Sequence, residues 1–377
     1  MLVVFGTRPE AIKMAPVVRA LKDSPSLETL VCVTAQHRSM LDQVLDLFAI
    51  TPDFDLDLMR NRQTVAEVTG TVLKEITGVL ETARPDLTLV HGDTTSAFAT
   101  ALACFYQQIR VGHVEAGLRT HDLRAPWPEE FNRRAVDMIA DRLWAPTQGA
   151  ADSLLQEGVD PRNILVTGNT VIDALNLACE ALDADPDRAR RIANALPASS
   201  TSRKMVLVTG HRRESFGGGL ANVCRALNVI ARRDDVELIW PVHKNPVVLE
   251  TVAQILRPAA NIQLIEPTDY LSFVELMRRS YLIITDSGGI QEEAPTLSKP
   301  VLITRDETER PEVVAVGAAK LVGTNPETIV SAVELLLDDP VAYRQMAEVD
   351  NPFGDGRAAE RIVRSIVSPP MAVRDRS

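Results

Sequence analysis

A few short stretches of the chain bring together residue types that can move protons. "HGDTTS" places Asp93 just past an apolar run, and "GHVEAGLRT" places Glu115 at the end of another. "APWPEEFNRR" offers Glu129 and Glu130 where a helix should begin after a Pro-bounded loop. Most have a plain alternative, which is weakest for Glu115. Asp93 can cap a helix, and Glu129 and Glu130 can complement a helix N-terminus. Glu115 gains nothing as a cap. Acids at neighbouring element ends in one half of the chain make a carboxylate cluster. Such a cluster suits general acid–base work, with mutual repulsion raising one pKa.

A second set of residues suits anions. "TDSGGIQEEAP" can present the N–H groups of Ser287, Gly288 and Gly289 to a diphosphate, since glycines permit close approach. Glu293, one turn on, can accept from a ribose diol, while Glu292 and Glu293 can equally be helix-start charges. "GTRPEAIKMAP" brackets a helix start with Arg8 and Lys13, with Glu10 as an ordinary first-turn acid; the motif lacks G-x-G-x-x-G and the P-loop pattern. "VLVTGHRRESFGGG" follows a strand with His211, which can donate to a phosphate or shuttle a proton. "TERPE" adds Arg310, and "PVHKNP" puts His243 after a strand, where a structural role serves as well. Phosphate plus diol points to a nucleotide.

The elements that must position these residues alternate. "LVVF", "TLVCVT", "LTLVHGD" and "RVGHVEAG" are β-rich runs separated by helical stretches. The pattern restarts after a polar segment near 183–204, with "MVLVTG", "VELIWPV", "IQLIE", "LIITD" and "PVLIT". Unbroken apolar strands alternating with helices imply buried parallel sheets. The expected class is α/β, with two doubly wound domains facing across a cleft and ligands at the carboxyl ends of the strands.

Composition agrees. The chain has 377 residues, 45% apolar and 24% charged, enough for two cores. A formal net charge of -11 argues against a nucleic-acid or membrane-surface binder. Cys32, Cys104, Cys179 and Cys224 are widely spaced and read as buried thiols in a reducing compartment. "MLVVFGTRPE" reads as a strand and turn rather than a signal peptide, and no run approaches the ~18 apolar residues of a membrane span. The expected location is cytoplasmic.

In combination, "GTRPEAIKMAPV", "TAQHR", "HGDTTS", "HVEAGLRT", "PEEFNRR", "TGNTVIDAL", "HRRESFG", "DSGGIQEEAP" and "TERPE" resemble the non-hydrolysing UDP-N-acetylglucosamine 2-epimerase family. The resemblance implies a fold of the glycosyltransferase-B type, with two Rossmann-like domains. An N-terminal domain over 1–168 carries the acids and is completed by a C-terminal helix over 356–377. A UDP-binding domain covers 169–355. The implied reaction is reversible C2 epimerisation of UDP-N-acetylglucosamine to UDP-N-acetylmannosamine, through elimination of UDP, a 2-acetamidoglucal and re-addition. It implies Asp93, Glu115, Glu129 and His211 as catalytic. Arg8, Lys13, Asp93, Glu115, His211, Phe273, Ser287, Gly288, Gly289, Glu293 and Arg310 are implied as substrate contacts. Gln36, Arg62 and His243 fit a regulatory site. The family needs no metal and no cofactor, and it implies a homodimer. The sequence departs from the family pattern at Ser215, Val313 and His121. A hydrolysing relative and a glycosyltransferase of the same fold are the competing readings.

Overall fold

The structure, a computed structural model, describes residues 1–35, 38–58, 60, 63–198, 202–210 and 218–368, with the backbone alone for 38–40. The chain divides into two compact units, Met1–Asn176 with the segment from Phe353 onward, and Leu177–Pro352.

The first unit is built on a parallel sheet of β1 (Leu2–Phe5), β2 (Leu30–Val33), β3 (Phe54–Asp55), β4 (Leu87–His91), β5 (Arg110–Val114), β6 (Arg142–Ala145) and β7 (Ile164–Val166). Their order is β3-β2-β1-β4-β5-β6-β7. The second is built on β8 (Lys204–Val208), β9 (Val236–Pro241), β10 (Ile262–Ile265), β11 (Leu282–Thr285), β12 (Val301–Ile303) and β13 (Ala319–Leu321). Their order is β10-β9-β8-β11-β12-β13, again all parallel. Each sheet therefore runs outward from its first strand in one direction and from its fourth in the other. The winding reverses between β1 and β4, and between β8 and β11. The fold is two doubly wound, Rossmann-like α/β units, and in such sheets ligands bind where the order reverses.

Local sequence explains the layers. Every residue of β1 is buried, as in a strand covered on both faces. The helix Val65–Ala83 is started by a Thr64–Glu67 capping box and turns Val68, Val72, Ile76, Val79 and Leu80 inward. Their spacing of three or four residues makes one apolar stripe. The helix Thr95–Tyr106 buries small residues instead, Ala97, Ala99, Thr100, Ala101, Ala103 and Cys104. It therefore lies close to its neighbours. In the second unit Val206, Leu238, Trp240, Leu227 and Leu336 belong to one core.

The last helix, Ala358–Val367, packs on the helix Arg8–Lys22 of the first unit. Asp173 caps it, accepting from the N–H groups of Ala358 (3.1 Å) and Ala359 (2.8 Å). From β6, Trp144 Nε1 donates to Ser365 Oγ on the same last helix (2.9 Å). Cys32, Cys104 and Cys224 are buried free thiols, and Cys179 is partly buried. Among the described residues no helix is long and apolar enough to cross a membrane.

Candidate functional site

The turn after β1 is crowded by design. A Cβ on Gly6 would sit 2.0 Å from Thr34 Oγ1, so only glycine fits that approach. Thr7 caps the helix Arg8–Lys22 in a capping box with Glu10. Glu10 is more than an ordinary first-turn acid. One carboxylate oxygen accepts from the N–H groups of Gly6 (3.0 Å) and Thr7 (2.7 Å), the other from the Thr94 hydroxyl (2.6 Å). Glu10 therefore ties the turn after β1 to the turn after β4, the two lips of the switch point. Burial pushes its pKa up, and those hydrogen bonds oppose the rise. Arg8 is half-buried at the first position of the helix. One turn on, the Lys13 ammonium is ion-paired with Glu115 Oε2. Expected beside a phosphate, Lys13 lies here against an acid.

Glu115 follows β5 in a left-handed backbone conformation, φ +67°. For a residue with a Cβ this stores roughly 1–2 kcal/mol of strain, a cost tolerated mainly where position matters. Besides Lys13, its Oε2 accepts from Asn169 Nδ2 (3.0 Å). Asp93 follows β4 and is ion-paired with the Arg133 guanidinium. Its carbonyl accepts from Asn132 Nδ2 (3.0 Å). Burial pushes the Asp93 pKa up. The Arg133 charge opposes this and the Glu115 charge reinforces it, with a net rise. The structure thus brings Asp93 and Glu115 together, each dressed by its own cation.

The helix Glu129–Ile139 supplies the rest. Glu130 is fully buried and accepts from the N–H groups of Thr120 (3.1 Å) and His121 (3.2 Å), so it folds the preceding loop. Glu129 is half-buried and makes no hydrogen bond or ion pair among the described residues. Three and four residues before Asn132 and Arg133, it shares their helix face. Beneath both acids lies a buried strut. His113 Nδ1 meets Asp137 Oδ1 (2.6 Å), and His113 Nε2 meets the Gly92 carbonyl (2.8 Å). Asp137 Oδ2 accepts from the Gly117 N–H (3.3 Å) and pairs with Arg119 (2.8 Å). The strut fixes the Gly92–Asp93 and Glu115–Gly117 turns to one another.

The second unit repeats the scheme with other chemistry. Thr209, after β8, and Thr285, ending β11, share a hydroxyl hydrogen bond (2.6 Å) across the switch point. Of the three N–H groups expected to face a diphosphate, that of Ser287 donates to Thr285 Oγ1 (2.9 Å). Those of Gly288 and Gly289 open the short helix Gly288–Glu293 and have no acceptor among the described residues. Glu292 is no mere helix-start charge: it is buried and ion-paired with Arg310. Glu293 accepts from the Tyr270 hydroxyl (2.7 Å). Phe273 lies one turn beyond Tyr270, half-buried on the helix Tyr270–Arg279. His243 is exposed, and its Nδ1 accepts from the Asn245 N–H (3.1 Å). His211, Gln36 and Arg62 lie outside the described residues. Among the described residues no group of three or more His, Cys, Asp or Glu side chains is placed to hold a metal ion.

Sequence reasoning passed over Arg133, Asn169, His113, Asp137, His91 and Tyr270. Arg133, Asn169, His91 and His113 left a signal, since they stand in the motifs "EEFNRR", "TGNT", "HGDTTS" and "GHVEAGLRT"; Asp137 and Tyr270 left none.

Comparison with known proteins points one way. Residues 19–367 match the family described as UDP-N-acetylglucosamine 2-epimerase. The UDP-N-acetylglucosamine 2-epimerase of Yersinia pestis is 55% identical over 366 residues, covering 97% of both chains. The UDP-GlcNAc 2-epimerase of Neisseria meningitidis, in a crystal structure bound to UDP-GlcNAc, is 46% identical with a TM-score of 0.91, covering 97% of this chain and 99% of that one. The Methanocaldococcus jannaschii enzyme, in complex with UDP-GlcNAc and UDP, is 36% identical with a TM-score of 0.81 over 97% of this chain and 99% of its own. With sequence and fold matched along nearly the whole length, the chain belongs to the UDP-N-acetylglucosamine 2-epimerase family.

Proposed function

We propose that the protein interconverts UDP-N-acetylglucosamine and UDP-N-acetylmannosamine without hydrolysis, by eliminating UDP and adding it back. The C2 hydrogen of the sugar has no neighbouring carbonyl, so its removal must be coupled to departure of a good leaving group at C1. The observation that carries this reading is the pair Asp93 and Glu115, close together at one switch point and dressed differently. A net upward pKa shift suits Asp93 to carry a proton as an acid, while the Lys13 ammonium favours an ionised Glu115 that can act as base.

In this scheme Glu115 takes the C2 proton. The C–H electrons form the C1=C2 bond of 2-acetamidoglucal, and the C1–O electrons leave with UDP. As Glu115 loses its charge, the ion pair with Lys13 weakens, and the positive charge of Lys13 then favours the departing diphosphate. Charge is thus stabilised as it develops. Re-addition of UDP to C1 accompanies proton delivery from Asp93 to the opposite face of C2. The two acids reset by exchange with water. In the second unit Gly288, Gly289 and Arg310 are the diphosphate contacts, Glu293 the ribose contact and Phe273 the base contact; in the first unit Arg8 is a further substrate contact. Glu129, on the Arg133 face of its helix, supports Asp93. His211, a catalytic and phosphate-contacting residue, and the regulatory set of Gln36, Arg62 and His243 complete the family's pattern. Binding of UDP-GlcNAc by the meningococcal relative supports the substrate class.

Incubation with UDP-N-acetylglucosamine in D2O tests this reading. Deuterium at C2 of both UDP-sugars is expected. Release of UDP and free N-acetylmannosamine identifies a hydrolysing enzyme, and sugar transfer to an acceptor without exchange identifies a glycosyltransferase.

A further inference from the structure

His91, the last residue of β4, is 4% exposed, and neither ring nitrogen has a hydrogen-bond partner among the described residues. Its Nε2 stands 3.8 Å from Glu115 Oε2. Burial pushes its pKa down to about 4; Glu115 opposes the fall, while the Lys13 and His113 charges add to it. The ring is therefore neutral near pH 7, with one nitrogen bearing a lone pair. Its neighbour His113 differs, since both of its nitrogens are engaged by Asp137 and the Gly92 carbonyl. A buried polar ring without partners is a cost that an apolar side chain of similar size would avoid. The cost calls for a use.

Two of the contacts at Glu115 point to one. Ionised, the carboxylate is an acceptor, and Lys13 Nζ and Asn169 Nδ2 are donors to it. Protonated, it must donate. An ammonium and an amide NH2 cannot receive that hydrogen, whereas a neutral imidazole can. We propose that His91 is a positioning residue for the reaction, whose Nε2 receives the hydrogen of Glu115 once that carboxylate has taken the C2 proton.

The inference rests on the epimerase reading above. The C2–H bond breaks and an O–H bond forms on Glu115; the C–H electrons become the C1=C2 bond, and UDP departs with the C1–O electrons. The new O–H then turns to His91 Nε2, with the ring hydrogen on Nδ1. The gap must close by about 1 Å to reach hydrogen-bond length, a side-chain-scale motion. His91 thus stabilises the neutral acid that exists only after proton transfer. It acts on the chemical step and leaves UDP binding alone.

The test uses the full-length His91→Leu and His91→Gln variants. Leu removes the acceptor at similar volume; Gln keeps an acceptor oxygen. Measured for each are kcat and KM for epimerisation, C2 exchange in D2O and Tm. The expected result for H91L is a Tm equal to or above wild type, KM within about 2-fold, and kcat and exchange reduced ~10–100-fold. H91Q should fall between H91L and wild type. A kcat for H91L within about 2-fold of wild type overturns the inference. So does a loss of kcat that tracks a fall in Tm equally in both variants, which would mark His91 as structural. Wild-type protein that shows neither epimerisation nor exchange overturns the epimerase reading and this inference with it. Wild-type activity matched by H91L overturns this inference alone.

Discussion

Replacing Gly117 by alanine should loosen both the fold of the first unit and the placement of Glu115. Gly117 has φ +88°, and a Cβ there would lie 2.2 Å from the Ala150 carbonyl oxygen, 2.8 Å from its carbon and 3.0 Å from Leu154 Cγ. The obstacle is helix backbone rather than the free end of a side chain, so it cannot swing away. Left-handed backbone costs an L-residue roughly 1–2 kcal/mol. Overpacking against a fixed neighbour adds about 1–3 kcal/mol, so the total loss should be about 2–5 kcal/mol. The Gly117 N–H also donates to Asp137 Oδ2 (3.3 Å), so the turn that carries Glu115 must shift. A displacement of ~1 Å in a reacting group costs about 100-fold in rate. Urea unfolding followed by far-UV circular dichroism, beside kcat, provides the assay. Gly78→Ala is the control. Gly78 lies inside the helix Val65–Ala83, and a Cβ there would meet nothing within 4 Å. It should be neutral or stabilising by up to ~1 kcal/mol. G117A within about 0.5 kcal/mol of wild type, or no more destabilised than G78A, would refute the steric reasoning.

Glu115→Gln should abolish C2 exchange, at least ~100-fold, with UDP affinity measured by calorimetry nearly intact; retained exchange would remove Glu115 from the base role. His91 carries a pH signature. Its folded pKa of about 4 lies below the ~6.5 of an unfolded histidine. Between those values the unfolded chain binds a proton that the folded protein does not. Its contribution to stability is therefore complete above pH 6.5 and lost as pH falls through 4, on the order of 3 kcal/mol in all. Stability curves of H91L should be flatter than wild type over that window, and parallel curves would contradict it. Asp173→Ala should strip both capping bonds from the helix Ala358–Val367, costing ~2–4 kcal/mol. Hydrogen exchange should accelerate there, and unchanged protection would show that packing alone holds the helix.

The α/β class was legible because strands buried on both faces must be apolar throughout. "LVVF", "LTLVH" and "LIIT" are buried along their whole lengths. Edge strands left little trace. β7 is three residues with two exposed, and β13 is three residues with Lys320 at its centre. Neither has the length or pattern to announce a strand. Within the site, single residues could be named but their partners could not. Lys13 and Glu115 are 102 residues apart, and Thr94 and Glu10 are 84 apart. What brings them together is the reversal of strand order between β1 and β4, which no local pattern encodes. Glu10 and Glu292 looked like ordinary helix-start charges because a cap and a cross-chain clamp use the same residue in the same place. His91 and His113 were overlooked for another reason: His91 ends a strand and His113 lies within one, so each reads as part of an apolar run even inside a motif.

In the proposed reaction the bond between C1 and the diphosphate breaks and re-forms while the sugar stays bound. UDP-N-acetylglucosamine labelled with 18O in the bridge between C1 and the β-phosphorus reports this directly. If UDP departs and returns, its β-phosphate can rotate in between. 31P NMR of the recovered UDP-sugars should then show label in non-bridging positions, at a rate comparable to epimerisation. Inversion at C2 with all the label still in the bridge would contradict it.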